Sequence, residues 1–232
     1  MKKMAIFVEG ATESVFAENL IREIGDQSRI KIETREIRGG NQVPRTVKTL
    51  RMSIPTTSQE FFVMIFDCGG DRAVKTRICE EYENLAKSGY EVVIGIRDVR
   101  PDFTFADLPK LRVGLKYRLK TKPIAVEFVL GVMEIEAWFL AETAHFSKID
   151  ARITLESVRK KLGFDPSVDN LQLRSDPTKD LDDCYALAGK SYRKGYSTVT
   201  VPALDFSSVY FELPKKFEDL ARLTSTIEKF LT

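Results

Sequence analysis

Four short apolar runs set the folding options of this chain. Met4–Val8, Phe61–Phe66, Val92–Ile96 and Ile124–Met133 are almost free of charge and are bounded by turn or charged residues. Runs of that length read as strands buried on both faces, which is what a parallel sheet covered by helices requires. The segments between them carry helical periodicity. Val15, Phe16, Leu20, Ile21 and Ile24 form one stripe that ends near Gly25, with Thr12 placed to cap its start. Ala73–Lys87 is a second helix, closed by Gly89. Ile30–Ile37 sets Ile30, Ile32 and Thr34 against Lys31, Glu33 and Arg35, the pattern of a half-exposed strand. Gly39-Gly40-Asn41 marks a turn, and Val43–Met52, with Arg45, Lys48 and Arg51, reads as a short basic helix. Strand–helix alternation predicts an α/β fold, a mostly parallel sheet sandwiched by helices. Glu136–Ala144 reads as a helix, and beyond residue 147 the pattern turns helical and more polar, with helices expected over Leu155–Leu162, Lys179–Gly189 and Lys215–Leu231. The expected organisation is an α/β domain over residues 1–146 and a helical C-terminal part over 147–232 packed on it.

The 232 residues are 43% hydrophobic and 30% charged, enough for a sizeable core. A net charge of +2 neither requires nor excludes a nucleic-acid partner. Three cysteines, Cys68, Cys79 and Cys184, form no CxxC pair, which fits reduced thiols and a cytoplasmic protein. The opening apolar run is too short for a signal peptide, and no run approaches the ~20 residues of a membrane span. A single histidine, His145, argues against zinc sites and Ser-His-Asp chemistry.

The apolar runs stop at acids. Glu9-Gly10 follows the first, Asp67 and Asp71 follow the second around Cys68-Gly69-Gly70, and Glu134 and Glu136 follow the last. In a parallel sheet these ends share one edge, where ligands bind. Carboxylates gathered there repel one another unless a cation holds them, and hard cations such as Mg²⁺ take oxygen ligands. Glu9 reads as a metal ligand or general base, or else as a solvated acid complementing a helix dipole. Gly10 permits close approach to a phosphate. Asp67 ends a wholly apolar strand and needs a metal, a base or N–H donors, whereas Asp71 also reads as a helix cap. Glu134 and Glu136 would diverge by ~200° on a helix, so one at most is expected to face a shared ion. Glu13 fits a first-turn helix acid, and Asp98, beside Arg97 and Arg100, fits local salt bridges; both are secondary candidates. Lys110–Lys122 holds six basic residues and no acid, either a solvated helix face or a track for a phosphate backbone.

Val8-Glu9-Gly10-Ala11-Thr12-Glu13 after a first strand resembles the glutamate motif of TOPRIM domains, the topoisomerase–primase fold, in its overcoming-lysogenisation-defect nuclease branch. Met133-Glu134-Ile135-Glu136-Ala137-Trp138-Phe139-Leu140-Ala141-Glu142, with Asp176-Pro177-Thr178-Lys179 and Tyr192-Arg193-Lys194, is similar to a bacterial family of TOPRIM-like proteins found near mobile elements and defence genes. The resemblance runs from residue 4 to about 195. It implies a glutamate acting as general acid/base or metal ligand, matched by Glu9, and an Asp-x-Asp holding Mg²⁺. Asp67 matches the first aspartate of that pair, but Gly69 stands in place of the second, and Arg97-Asp98-Val99-Arg100 also has one acid where the motif has two.

The expected function is therefore a Mg²⁺- or Mn²⁺-dependent phosphoryl-transfer enzyme, a nuclease acting on DNA or RNA, with a role in defence against mobile elements. Catalytic residues are expected at Glu9, Asp67 and Glu136, and metal ligands among Glu9, Asp67, Asp71, Glu134 and Glu136. Gly10, Lys179, Arg193 and Lys194 are the expected phosphate contacts. An ATPase is an expected protein partner and a membrane is not. The alternative is a non-catalytic TOPRIM-like module that binds a metal or a partner.

Overall fold

The computed structural model describes residues 1–40, 43–54, 58–70, 72–194 and 197–232. Six strands make one sheet: β1 Lys2–Val8, β2 Ile30–Arg38, β3 Thr46–Met52, β4 Phe61–Asp67, β5 Val92–Asp98 and β6 Ala125–Gly131. Their order is β3-β2-β4-β1-β5-β6, and every neighbouring pair is parallel except β2–β3. The helices in chain order are α1 Ala11–Ile24, α2 Ala73–Lys87, α3 Leu108–Lys116, α4 Glu136–Ala141, α5 His145–Ile149, α6 Leu155–Leu162, α7 Pro177–Ala186, α8 Ser197–Ala203, α9 Phe206–Phe211 and α10 Glu218–Leu231. The mostly parallel α/β sandwich expected from the apolar runs is the architecture observed.

Side chains of β1 alternate between two cores, because successive Cβ atoms of a strand point to opposite faces. Met4, Ile6 and Val8 join α1, α4 and the C-terminal helices in one cluster, with Phe16, Trp138 and Phe139 at its centre and Leu220, Ile227 and Phe230 of α10 at its far end. Ala5 and Phe7 face the other way, against Val74, Ile78 and Tyr82 of α2. Leu111 and Leu115 of α3 extend that second layer over Leu130 and Val132. The helices beyond residue 147 thus share one hydrophobic core with the sheet.

Three local expectations are corrected. The segment expected as a basic helix over Val43–Met52 is instead the edge strand β3, paired antiparallel with β2 from Arg38↔Thr46 to Glu33↔Met52. Arginine and lysine at three-residue spacing suggested a helix, but Thr46, Val47 and Thr49 favour extended backbone, and the open edge of β2 supplies the ladder partners. The helix expected over Glu136–Ala144 breaks after Ala141. Glu142 accepts the backbone N–H groups of Ala144 (2.9 Å) and His145 (3.1 Å), so its carboxylate starts a new helix. Thr12 does not cap α1; Gly10 stands at that position, with no side-chain cap hydrogen bond.

Asp219 ties the C-terminal helix to the open edge of the sheet. It is 3% exposed, it accepts the backbone N–H of Leu130 on β6 at 3.1 Å, and both terminal nitrogens of Arg112 on α3 reach it. Removing the carboxylate strands a buried donor and an arginine together. Asp219→Ala is expected to lower stability by about 3 kcal/mol, and Asp219→Asn by less, in urea unfolding; equal losses in the two variants would show that the charge does not matter there.

Candidate metal centre

The crossovers decide where the sheet opens. The chain leaves β1 and β6 toward the face that carries α1 and α4, and leaves β4 and β5 toward the face that carries α2 and α3. Neighbouring strands whose connections diverge in this way leave a crevice beyond their carboxyl ends. Glu9 follows β1, Asp98 ends β5, Glu13 lies in the first turn of α1 and Glu136 opens α4 after β6.

The ligand oxygens of Glu9, Glu13 and Asp98 lie within 4.8 Å of one another, and all three residues are buried. That span matches oxygens placed about a cation at 2.0–2.6 Å, with slight closure for Mg²⁺ or Mn²⁺. The set is held rigidly. Glu9 Oε1 accepts the backbone N–H of Asp98 at 2.6 Å, and Asp98 Oδ1 accepts that of Ile135 at 2.9 Å. Gly131, paired with Asp98 across β5–β6, leaves the room this needs: a Cβ there would sit 2.3 Å from Asp98 Oδ1. Glu136 is fully buried, and its Oε1 accepts the hydroxyl of Tyr192 at 2.6 Å. Lys194 comes down among these acids, its ammonium in contact with Asp98 Oδ2, 3.6 Å from Glu136 Oε2 and 3.8 Å from Glu13 Oε1. A pocket of about 240 Å³ above the cluster is lined by Glu9, Gly10, Thr12, Glu13, Gly70 and Lys194. A wider cleft of about 510 Å³ lies elsewhere, between α3, α10 and β6, and shares no residue with the acids.

Burial dominates the electrostatics. It pushes the Glu13 carboxyl up to about 7 against the pull of Lys194, and raises Asp98 well above the usual aspartate range against the same pull. Burial alone would drag the Lys194 ammonium down, but Asp98, Glu136 and Glu13 outweigh it and hold Lys194 above the ordinary lysine range. Tyr192 is pushed up by burial and by the neighbouring Glu136.

The structure redistributes the expected site residues. Glu9 and Glu136 are at the cluster, and so are Glu13 and Asp98, which the sequence ranked as secondary. Asp98 does not pair with Arg97 or Arg100: Arg97 reaches Asp102 at 3.1 Å, and Arg100 reaches Asp176 at 2.8 Å. Asp67 lies apart, its carboxylate accepting Arg38 (2.9 Å) and the backbone N–H of Gly69 (3.0 Å). Glu134 accepts the N–H of Thr178 at 2.8 Å and sits 3.6 Å from Arg100, serving the start of α7; burial raises it and the Thr178 N–H opposes that rise. Of the two glutamates at this junction, Glu136 in the first turn of α4 faces the cluster, and Glu134, which precedes the helix, does not. Lys179 is an exposed partner of Asp183, and Arg193 is exposed; Lys194 alone of the expected phosphate cations reaches the acids. Asp71 lies outside the described residues. Glu13 and Asp98 each carry a weak sequence signal: Val92–Ile96 is followed within two residues by an acid, and a first-turn side chain leans toward the helix N-terminus, here toward Glu9.

Folding requires Glu13 to hold a proton more tightly than the unfolded chain does, between the ordinary value of 4.5 and about 7. The folded state binds more protons in that window, so this contribution to stability is fully present below 4.5 and is lost as pH rises through 7. In chelator, Glu13→Gln is expected to stabilise the protein at pH 8 by up to about 3 kcal/mol, with the gain vanishing near pH 4.5. A pH-independent difference in thermal midpoint would refute this account.

No protein-family model, no curated protein and no solved structure matches the chain.

Proposed function

We propose that this chain is a divalent-metal-dependent phosphoryl-transfer enzyme, a TOPRIM-like nuclease acting on DNA or RNA. The observation that carries the reading is the buried triad Glu9, Glu13 and Asp98 at the carboxyl edge of the sheet, its oxygens within 4.8 Å of one another. An all-carboxylate donor set without histidine or cysteine fits Mg²⁺ or Mn²⁺ and not zinc. Bound there, the ion would supply a Lewis acid for a phosphoryl oxygen and a lowered pKa for water. Here the aspartate of the site is Asp98, on the strand flanking β1 opposite β4, and Asp67 anchors Arg38.

The surroundings fit a phosphate ester. The N-terminus of the 14-residue helix α1 opens into the same pocket, so the positive end of its dipole favours an anion there. Gly10 keeps side-chain bulk out of that approach. Lys194, 35% exposed along its side chain, sets a cation beside the acids and within reach of solvent. The lining orients the phosphate and offsets its charge, while the buried carboxylates hold or release a proton. Among the described residues no helix is long and apolar enough to cross a membrane; a cytoplasmic site of action, with an ATPase as partner in defence against mobile elements, completes the proposal.

Asp98→Asn is expected to weaken Mn²⁺ binding at least about tenfold and to cut cleavage of plasmid and single-stranded substrates by roughly 100-fold or more. Wild-type protein should lose cleavage in EDTA and regain it with Mg²⁺ or Mn²⁺. Metal binding without cleavage of any nucleic acid would favour the non-catalytic module, and cleavage that survives Asp98→Asn would place the chemistry elsewhere.

A further inference from the structure

The acids at this edge outnumber the needs of one ion. Glu9, Glu13 and Asp98 surround one position. Glu13, Asp98 and Glu136 surround a second beside it, and Lys194 Nζ lies in that second position, against Asp98 Oδ2 and 3.6 and 3.8 Å from Glu136 Oε2 and Glu13 Oε1. Glu13 and Asp98 belong to both, the arrangement in which bridging carboxylates hold two cations about 3.5–4 Å apart. Both Glu13 Oε1 and Glu136 Oε2 are buried, and neither accepts a hydrogen bond among the described residues. Such oxygens need a cation near them. The lysine is held in place from its own segment: two residues earlier, the Tyr192 hydroxyl donates to Glu136 Oε1 at 2.6 Å and the Tyr192 backbone N–H donates to Asp182 at 2.8 Å.

We propose that Lys194 occupies the second of two adjacent cation positions, so that the site takes one divalent ion where its four acids would otherwise take two. The proposal rests on the metal-centre reading above. An ammonium in contact with Asp98 Oδ2 excludes a second ion, which would need that oxygen at about 2.1 Å. It also brings a single charge and three N–H donors where a second metal would bring two charges and bound water. The tether fixes the stoichiometry: a side chain cannot be diluted or chelated away.

Mn²⁺ equilibrium dialysis on the full chain, with electron paramagnetic resonance of the same samples, tests it. Wild type should bind one ion with an uncoupled spectrum. Lys194→Met, which keeps the apolar stem, should bind two with a spin-coupled spectrum, and adding Glu136→Gln should abolish the second. Glu136→Gln in wild type should leave the first affinity within about threefold. Two ions in wild type, or one ion in a folded Lys194→Met, overturns the proposal. If Lys194→Met fails to fold by circular dichroism, the wild-type count and Glu136→Gln decide: two ions in the first, or loss of the ion in the second, overturns it. No ion in wild type would instead overturn the metal-centre reading itself.

Discussion

The carboxylates of Glu9, Glu13 and Asp98, held out of water within 4.8 Å of one another with buried Glu136 across Lys194 from two of them, are the constraint on which the rest of this structure turns. Desolvation alone would force such groups to take up protons or scatter. Lys194 offsets part of that cost by contacting Asp98 and facing Glu13 and Glu136, and the backbone N–H groups of Asp98 and Ile135 offset more. The arrangement stays electrostatically loaded, with Glu13 and Asp98 both raised. Strongly perturbed carboxylates cluster at functional sites.

Everything around the cluster serves its placement. The parallel order β4-β1-β5-β6 brings the ends of β1, β5 and β6 together, and the divergent crossovers keep that edge open. Gly131 removes the one side chain that would displace Asp98. The C-terminal helices share the core beneath α1 and α4, and their chain returns over the edge through Tyr192 and Lys194. The C-terminal part therefore completes the site as well as covering one face of the sheet.

Strand-end acids separate into three roles that sequence spacing does not distinguish. Asp67 and Asp98 end the two strands that flank β1. The first is neutralised by Arg38 from β2, the second by a lysine far along the chain. Glu134 and Glu136 are two residues apart, yet one serves the N-terminus of α7 and the other the cluster. In each case the role follows from which cation or N–H donor the fold brings alongside.

The layered, mostly parallel sheet is legible in the amino-acid pattern, because buried parallel strands must be short apolar runs and the helices between them must carry one apolar stripe. The presence of carboxylates along the carboxyl edge is legible too, since each run ends at or next to an acid. Edge strand β3 is not legible in that pattern, because an exposed edge carries no apolar period, and its pairing comes from the partner strand. Which of these acids meet is not legible there: Glu13 and Asp98 join Glu9, Asp67 is taken by Arg38, and Lys194 enters the acids from far along the chain. Desolvation and charge compensation act through space, between groups as distant in the chain as Asp98 and Lys194, 96 positions apart, or Glu13 and Lys194, farther still.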